Sequence, residues 1–161
     1  MPEFIHSGKD KKKFVEKMFD DISPHYDVLN RTLSFGIDKY WRKKLIQSMD
    51  ILDNQYILDV ATGTGDVIFE INKKYDVTSI GLDISKKMLK IANIKLNKIK
   101  NENTRIEFIH GDAENLPMGD NCYDHICISF GFRNLGNYDD ALKEFHRVLK
   151  PGGKLSILEF S

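Results

Sequence analysis

Residues 59–66 read DVATGTGD and follow directly on the apolar run Tyr56, Ile57 and Leu58. A strand that feeds a glycine turn and then a helix lets backbone N–H groups and the positive helix end approach a ligand, so the segment points to a nucleotide-binding α/β architecture. It departs from the phosphate-binding versions of that turn. A dinucleotide fingerprint needs a third glycine for helix and strand to pack, and Ile68 stands in its place. A Walker-type loop needs Lys followed by Ser or Thr after its last glycine, and no such pair follows Gly65. Both phosphate-binding readings lose weight.

The rest of the chain fits the same architecture. Beyond residue 50, the runs QYILDV, VTSIGLD, RIEFIHGD, CYDHICISF and KLSILEF read as strands separated by helical patterns such as SKKMLKIANIKLNKI and YDDALKEFHRVL, which predicts parallel βαβ units. In the helix after Asp83, the residues Met88, Ala92, Leu96 and Ile99 form one stripe facing a sheet, with Ser85 as N-cap. KPGG at 150–153 is expected to stop the last helix and turn the chain into its final strand. The first 50 residues look helical. Phe14, Val15, Met18, Phe19 and Ile22 share one face of an amphipathic helix, with Lys11, Lys12 and Lys17 elsewhere around the wheel. Pro24 should end that helix, SFG at 34–36 breaks a second short one, and Asp38 caps a third over KYWRKKLIQSM.

With 161 residues, 41% of them apolar, a single domain is the default: a helical lid over 1–50 and an α/β core over 51–161. The 24 basic and 24 acidic residues cancel, so overall charge gives no footprint for nucleic acid or an acidic membrane. Cys122 and Cys127 fall on opposite faces of a shared strand and cannot pair within it, and scattered histidines give no metal-ligand spacing. No run approaches the ~18 apolar residues needed to span a bilayer. The expectation is a cytoplasmic protein without a metal and without a nucleic-acid partner.

Three acidic residues stand at successive strand ends. Asp59 closes the first strand; Asp83 closes the second, placed to accept ribose hydroxyls; Asp112, beside Ala113, closes the third, where an adenine amine can meet a carboxylate. Each alone reads as a cap or a solvated turn, but three in register favour a ligand site. This constellation resembles the class I S-adenosylmethionine-dependent methyltransferases, whose cofactor has no phosphate. Within them, YDVLNRTLSFGIDKYW at 26–41, ISFGFRN at 128–134, RVLKPGGKLSILEFS at 147–161 and DVATGTGD itself resemble the ubiquinone/menaquinone biosynthesis C-methyltransferases. Two positions depart. Leu29 replaces the usual Met, a small change in an apolar pocket. Asp38 replaces the usual His, exchanging a titratable donor for an acceptor, so Asp38 receives no catalytic role.

The resemblance implies a Rossmann-like, doubly wound, mostly parallel sheet with an N-terminal helical lid and its last two strands absent, as in a fragment ending at Ser161. It implies S-adenosyl-L-methionine as cofactor and a prenylated quinol as substrate, demethylmenaquinol favoured over its benzoquinol counterpart. Deprotonation of a quinol hydroxyl makes the ring carbon nucleophilic, so the enzyme must align the partners and stabilise a phenolate-like charge. Carried over, Gly63, Thr64 and Gly65 line the methionine portion; Asp83 holds the ribose; Asp112 and Ala113 the adenine; Ser129 lies near the methyl donor; and Tyr26 touches the cofactor carboxylate. Arg133 and Asn134 are the catalytic candidates, Arg133 as phenolate stabiliser. Other small-molecule acceptors, or a cofactor-binding fragment without catalysis, stay open, and so do a homodimer and peripheral contact with the inner membrane face. The N-terminal helix has two readings, a lid over the site and a basic amphipathic helix resting on a membrane.

Overall fold

The computed structural model describes residues 8–28, 37–99 and 104–159. In chain order the elements are α1 (Gly8–Ile22), α2 (Ile37–Ser48), β1 (Tyr56–Val60), α3 (Asp66–Asn72), β2 (Thr78–Asp83), α4 (Lys86–Ile99), β3 (Ile106–His110), β4 (Tyr123–Ser129), α5 (Tyr138–Val148) and β5 (Leu149–Leu158). Short 3₁₀ turns cover Ser23–His25 and Phe132–Asn134. Residues 26–28 are helical, and the rest of the expected second short helix, with Leu29, falls on 29–36, outside the described residues.

The five strands form one parallel sheet in the order β3-β2-β1-β4-β5. β1 lies at its centre, and the strand order reverses between β1 and β4. Ligands in open α/β sheets bind at the carboxyl ends of strands beside such a switch point. Both faces are covered, as a parallel sheet requires. Leu58, Val60, Ile126 and Ile128 point into one core with Ala141, Phe145 and Val148 of α5. Ile57 and Cys127 point into the other with Leu45 and Ile46 of α2 and Val67 and Ile71 of α3. Ile68, in the place of the missing third glycine, is fully buried. Burying such a side chain contributes about 1.5–3 kcal/mol, which a glycine would forgo.

Several local expectations shift. Ser85 does cap α4, its Oγ accepting from Met88 N at 3.2 Å. Ile99, however, is exposed, and Leu89 is buried with Met88, Ala92 and Leu96, because the helix runs past the edge of what it covers. Phe14 is likewise exposed, leaving Val15 as the buried residue of α1. Asp38 sits inside the first turn of α2, paired with Arg42 one turn on, rather than ahead of the helix. α5 ends at Val148, before KPGG, because Leu149 already pairs with Tyr123. The next register pairs are His125 and Lys154, so residues 150–153 form a bulge within β5, with Gly152 at φ 80°. Cys122 precedes β4 and is exposed, Cys127 is buried, and both thiols are free.

The switch point is tight. Ala61, the first residue after β1, takes the left-handed φ of 53°, as does Phe130 after β4 at 57°. A Cβ on Gly131 would lie 2.6 Å from Ala61 Cβ. Gly131→Ala should therefore destabilise by about 1–3 kcal/mol through overpacking, and Ala61→Gly should recover most of that loss. Chemical denaturation of the single and double variants measures the coupling, and strictly additive effects would refute this contact.

Candidate functional site

Turns leaving β1, β2, β3 and β4 surround one cleft at the carboxyl edge of the sheet, roofed by α1. It has two adjoining chambers. The first encloses about 690 Å³, partly open to solvent, between Val15 and Phe19 of α1 and Leu82, Ile84, Met88, Ala113 and Leu135 below. The second encloses about 1290 Å³ and has Asp38, Asp59, Asp66, Arg42 and Arg133 among its walls. Tyr26, Gly63, Ser129 and Asn134 line both, at the waist between them.

Asp83 lines the first chamber. Its Oδ2 accepts from Gly63 N and its Oδ1 from Ser85 N, each at 2.8 Å, so the carboxylate joins the glycine turn to the start of α4. Burial raises its pKa, while the N–H groups of Ser85, Gly63 and Ile84 act in the opposite direction. Asp112 and Ala113 line the same chamber. Asp112 is not free for a ligand alone: Lys12 Nζ lies 2.7 Å from its Oδ2 and 2.6 Å from Glu114 Oε2. Lys11 Nζ donates to the carbonyls of Arg133 (2.8 Å) and Leu135 (2.7 Å). The lysines that the helical wheel set outside the apolar face thus fasten α1 across the cleft. Its apolar residues Val15 and Phe19 line that cleft from the side of α1.

In the second chamber, Asp59 is almost completely buried. Its Oδ2 accepts from Thr62 Oγ1 at 2.6 Å and its Oδ1 from Cys127 Sγ at 3.4 Å. Loss of hydration in this site drives its pKa up to about 7, against the bonds from Thr62 and Cys127. Thr64 also lines this chamber; its Oγ1 donates to Asp27 Oδ1 at 2.6 Å and accepts from Lys95 Nζ at 2.9 Å. Lys95 also meets Asp27 (2.5 Å) and Asp66 (3.0 Å), and Arg42 bridges Asp66 and Asp38. Gly65 lines neither chamber. A Cβ there would come 2.6 Å from Phe108, so its glycine character serves packing as well as its φ of 83°. Arg133 and Asn134 lie in the 3₁₀ turn after β4, with the Arg133 guanidinium 3.6 Å from Glu159.

All the expected site residues except Gly65 therefore meet at one cleft. Sequence reading missed Lys12, Glu114, Asp27, Arg42 and Lys95; apart from the i,i+4 pair of Arg42 with Asp38, their ionic partners lie in other elements, which local spacing does not mark. The strained Phe130 and the Gly131–Ala61 contact were equally invisible.

The residues present fit S-adenosylmethionine. Ser129 Oγ is buried at the waist and has no hydrogen-bond partner among the described residues. Unpaired buried hydroxyls are costly, and this one lines a cleft where a ligand can satisfy it. The first chamber, with apolar walls and Asp83 and Asp112 in its lining, suits a planar base and its ribose, and the second, with polar groups of both signs, suits the zwitterionic methionine end. The comparisons agree. A model of the ubiE/COQ5 methyltransferase family matches residues 6–161. The chain belongs to that family. It is 43% identical over 154 residues to the ubiquinone/menaquinone biosynthesis C-methyltransferase UbiE of Geotalea daltonii, covering 94% of this chain and 65% of that protein. It is 44% identical over 153 residues to a demethylmenaquinone methyltransferase of Thermotoga maritima, covering 94% and 64%. The chain thus spans 64–65% of the length of these relatives. A solved putative S-adenosyl-L-methionine-dependent methyltransferase of Methanococcus maripaludis shares the fold with a TM-score of 0.75 at 27% identity, over 86% of this chain and 62% of that one. Family and fold are both those of methyltransferases.

Asp59 also sets a pH dependence. Its pKa is about 7 in the folded chain and about 4 in an unfolded one, so between those values the folded state holds a proton that the unfolded state has lost. This contribution is greatest below about pH 4 and disappears as pH rises through about 7. The urea midpoint of Asp59→Asn, which keeps an acceptor for Thr62 without the charge, should rise relative to wild type between pH 5 and pH 8. A difference that does not vary with pH rejects the raised pKa.

Proposed function

We propose that this chain carries the catalytic cleft of an S-adenosylmethionine-dependent C-methyltransferase acting on the ring of a prenylated quinol, with demethylmenaquinol the preferred acceptor. The observation that carries the reading is the unpaired Ser129 hydroxyl at the waist of a cleft that also holds Tyr26, Asp83 and the Arg133–Asn134 turn. The names of the relatives supply the substrate class, demethylmenaquinone in the Thermotoga protein and ubiquinone or menaquinone precursors in the Geotalea protein.

In this reading Asp83 holds the ribose, Asp112 and Ala113 the adenine edge, Gly63, Thr64 and Gly65 with Tyr26 shape the methionine end, and Ser129 bonds near the reacting centre. The cofactor, when bound, supplies an electrophilic methyl group. The chain must make a ring carbon nucleophilic and hold it in place. Arg133, always charged, stabilises the phenolate formed when the quinol hydroxyl passes its proton to water, and Asn134 orients that oxygen. Met18, Phe19 and Ile22 of α1 wall the chamber that Arg133 lines and limit the water that reaches it. A prenylated acceptor is itself a lipid, so this reading calls for peripheral contact with a membrane.

Calorimetry should find one S-adenosylmethionine site in the wild-type chain, and Asp83→Ala should weaken it roughly tenfold or more through loss of a charged acceptor. No binding by wild type would sink the assignment. Arg133→Ala should leave cofactor affinity nearly intact while labelled-methyl transfer to reduced demethylmenaquinone falls by about 10²–10³. Equal losses in both would remove Arg133 from the chemistry, and transfer by wild type to some other acceptor in preference would replace the substrate.

A further inference from the structure

We infer that the outer face of α2 docks this protein on an anionic lipid surface; the inference rests on the reading of the substrate as a prenylated lipid. α2 has the sequence IDKYWRKKLIQS. Leu45 and Ile46 enter the core, and Asp38 and Arg42 line the second chamber. The opposite face carries Ile37, Tyr40, Trp41 and Lys44, at the spacing i, i+3, i+4, i+7 that makes one stripe. Ile37, Tyr40 and Trp41 are 53%, 55% and 44% exposed, large values for such side chains. The Tyr40 and Trp41 rings meet edge-on with centroids 5.5 Å apart, and Lys44 Nζ lies 5.7 Å from the Tyr40 ring centre. Lys43 borders the stripe on one side, and Lys39, also exposed, lies further round the helix, where both face a cavity shared with Asp66, Glu70 and Lys73.

The helix contributes no exposed carboxylate, since Asp38, its one acid, is buried and paired with Arg42. In a chain whose 24 basic and 24 acidic residues cancel, a stripe of two aromatic rings with Lys44 on it and Lys43 at its border is a marked asymmetry. Tyr and Trp favour the headgroup level of a bilayer, and lysines beside them are attracted to anionic phosphates. α1, the other candidate, is already used: Val15 and Phe19 roof the cleft, Lys11 and Lys12 are bonded across it, and its exposed lysines alternate with Asp10 and Glu16. Because the inner edge of α2 walls the second chamber, docking by its outer face holds that chamber beside the lipid phase, where a prenylated ring enters.

Trp41 is the one tryptophan in the sequence, so intrinsic fluorescence reports this surface directly. Vesicles of phosphatidylglycerol and phosphatidylcholine, free of quinol and cofactor, should blue-shift that emission and float the protein, whereas phosphatidylcholine alone should do so far more weakly. Replacing three lysines by Lys39→Gln, Lys43→Gln and Lys44→Gln should cut partitioning roughly a hundredfold. The control set Lys9→Gln, Lys13→Gln and Lys17→Gln on α1 should change it little. Trp41→Ala, read by flotation, should also weaken binding. The inference falls if anionic vesicles neither shift the emission nor float the wild type, or if the α1 set costs as much as the α2 set. It also falls if the blue shift appears without vesicles and grows with protein concentration, which would mark a second copy on this face. Calorimetry with S-adenosylmethionine on the same preparation separates the outcomes, since a failed cofactor site leaves vesicle binding intact and failed docking leaves cofactor binding intact.

Discussion

Burial of β1 between two parallel neighbours dictates most of what surrounds the site. With β2 on one side and β4 on the other, the strand has no edge, and the chain leaves it through a turn enclosed by protein. That turn satisfies its polar groups internally: Thr62 N donates to Leu82 O and Gly65 N to Thr62 O, each at 3.0 Å, and Gly63 N donates to Asp83. The Asp59 carboxyl is held beneath it by Thr62. Left-handed backbone at Ala61, Gly63 and Gly65 lets the chain reverse in so few residues. Strain at Ala61 and Phe130, one at each wall of the switch point, persists because the sheet over-determines both positions.

The roof is held differently from the floor. Sheet and helices are joined by two apolar cores, whereas α1 is fastened to the cleft largely by ionic and polar contacts: Lys12 to Asp112 and Glu114, Lys11 to two carbonyls, and Asp20 to Ser85 Oγ at 2.5 Å. The Lys12 and Asp112 side chains retain 21% and 36% exposure, so solvent screens the pair and its net contribution falls toward the ~0–1 kcal/mol of surface ion pairs. A lid held this way can open without disturbing the core. Its apolar contribution, chiefly Val15 and Phe19, lies over the ligand site itself and gains when the cleft is filled.

The alternation of strands and helices was readable because period two and period 3.6 are local properties, and five runs at the expected places became five parallel strands. Asp83, Asp112 and Ser129 were readable for a related reason, since in a doubly wound sheet every strand end arrives at the same edge. Errors gathered where a partner distant in sequence decided the outcome. α5 ends at Val148 because Leu149 pairs with Tyr123, a contact that KPGG does not announce. Ile99 continues the stripe of α4 in sequence but projects beyond what the helix covers. Gly65 carries a packing constraint that its turn does not announce, since a Cβ there would meet Phe108 of β3 at 2.6 Å.

The sequence by itself determined the fold class, the family and the edge of the sheet at which the site lies, since these follow from periodicity, turn chemistry and motifs contained within short stretches. Tertiary structure alone decided what each charge does. Lys12 neutralises two carboxylates of another loop, Lys95 joins Asp27 to Asp66, and Asp59 loses its hydration to the strands on either side. The same distinction separates α1 from α2. Both are basic and amphipathic in sequence, but packing spends the apolar residues of one on the cleft and leaves the aromatic face of the other in solvent. Electrostatic roles depend on distance and burial, and both are set by where the fold brings remote segments together.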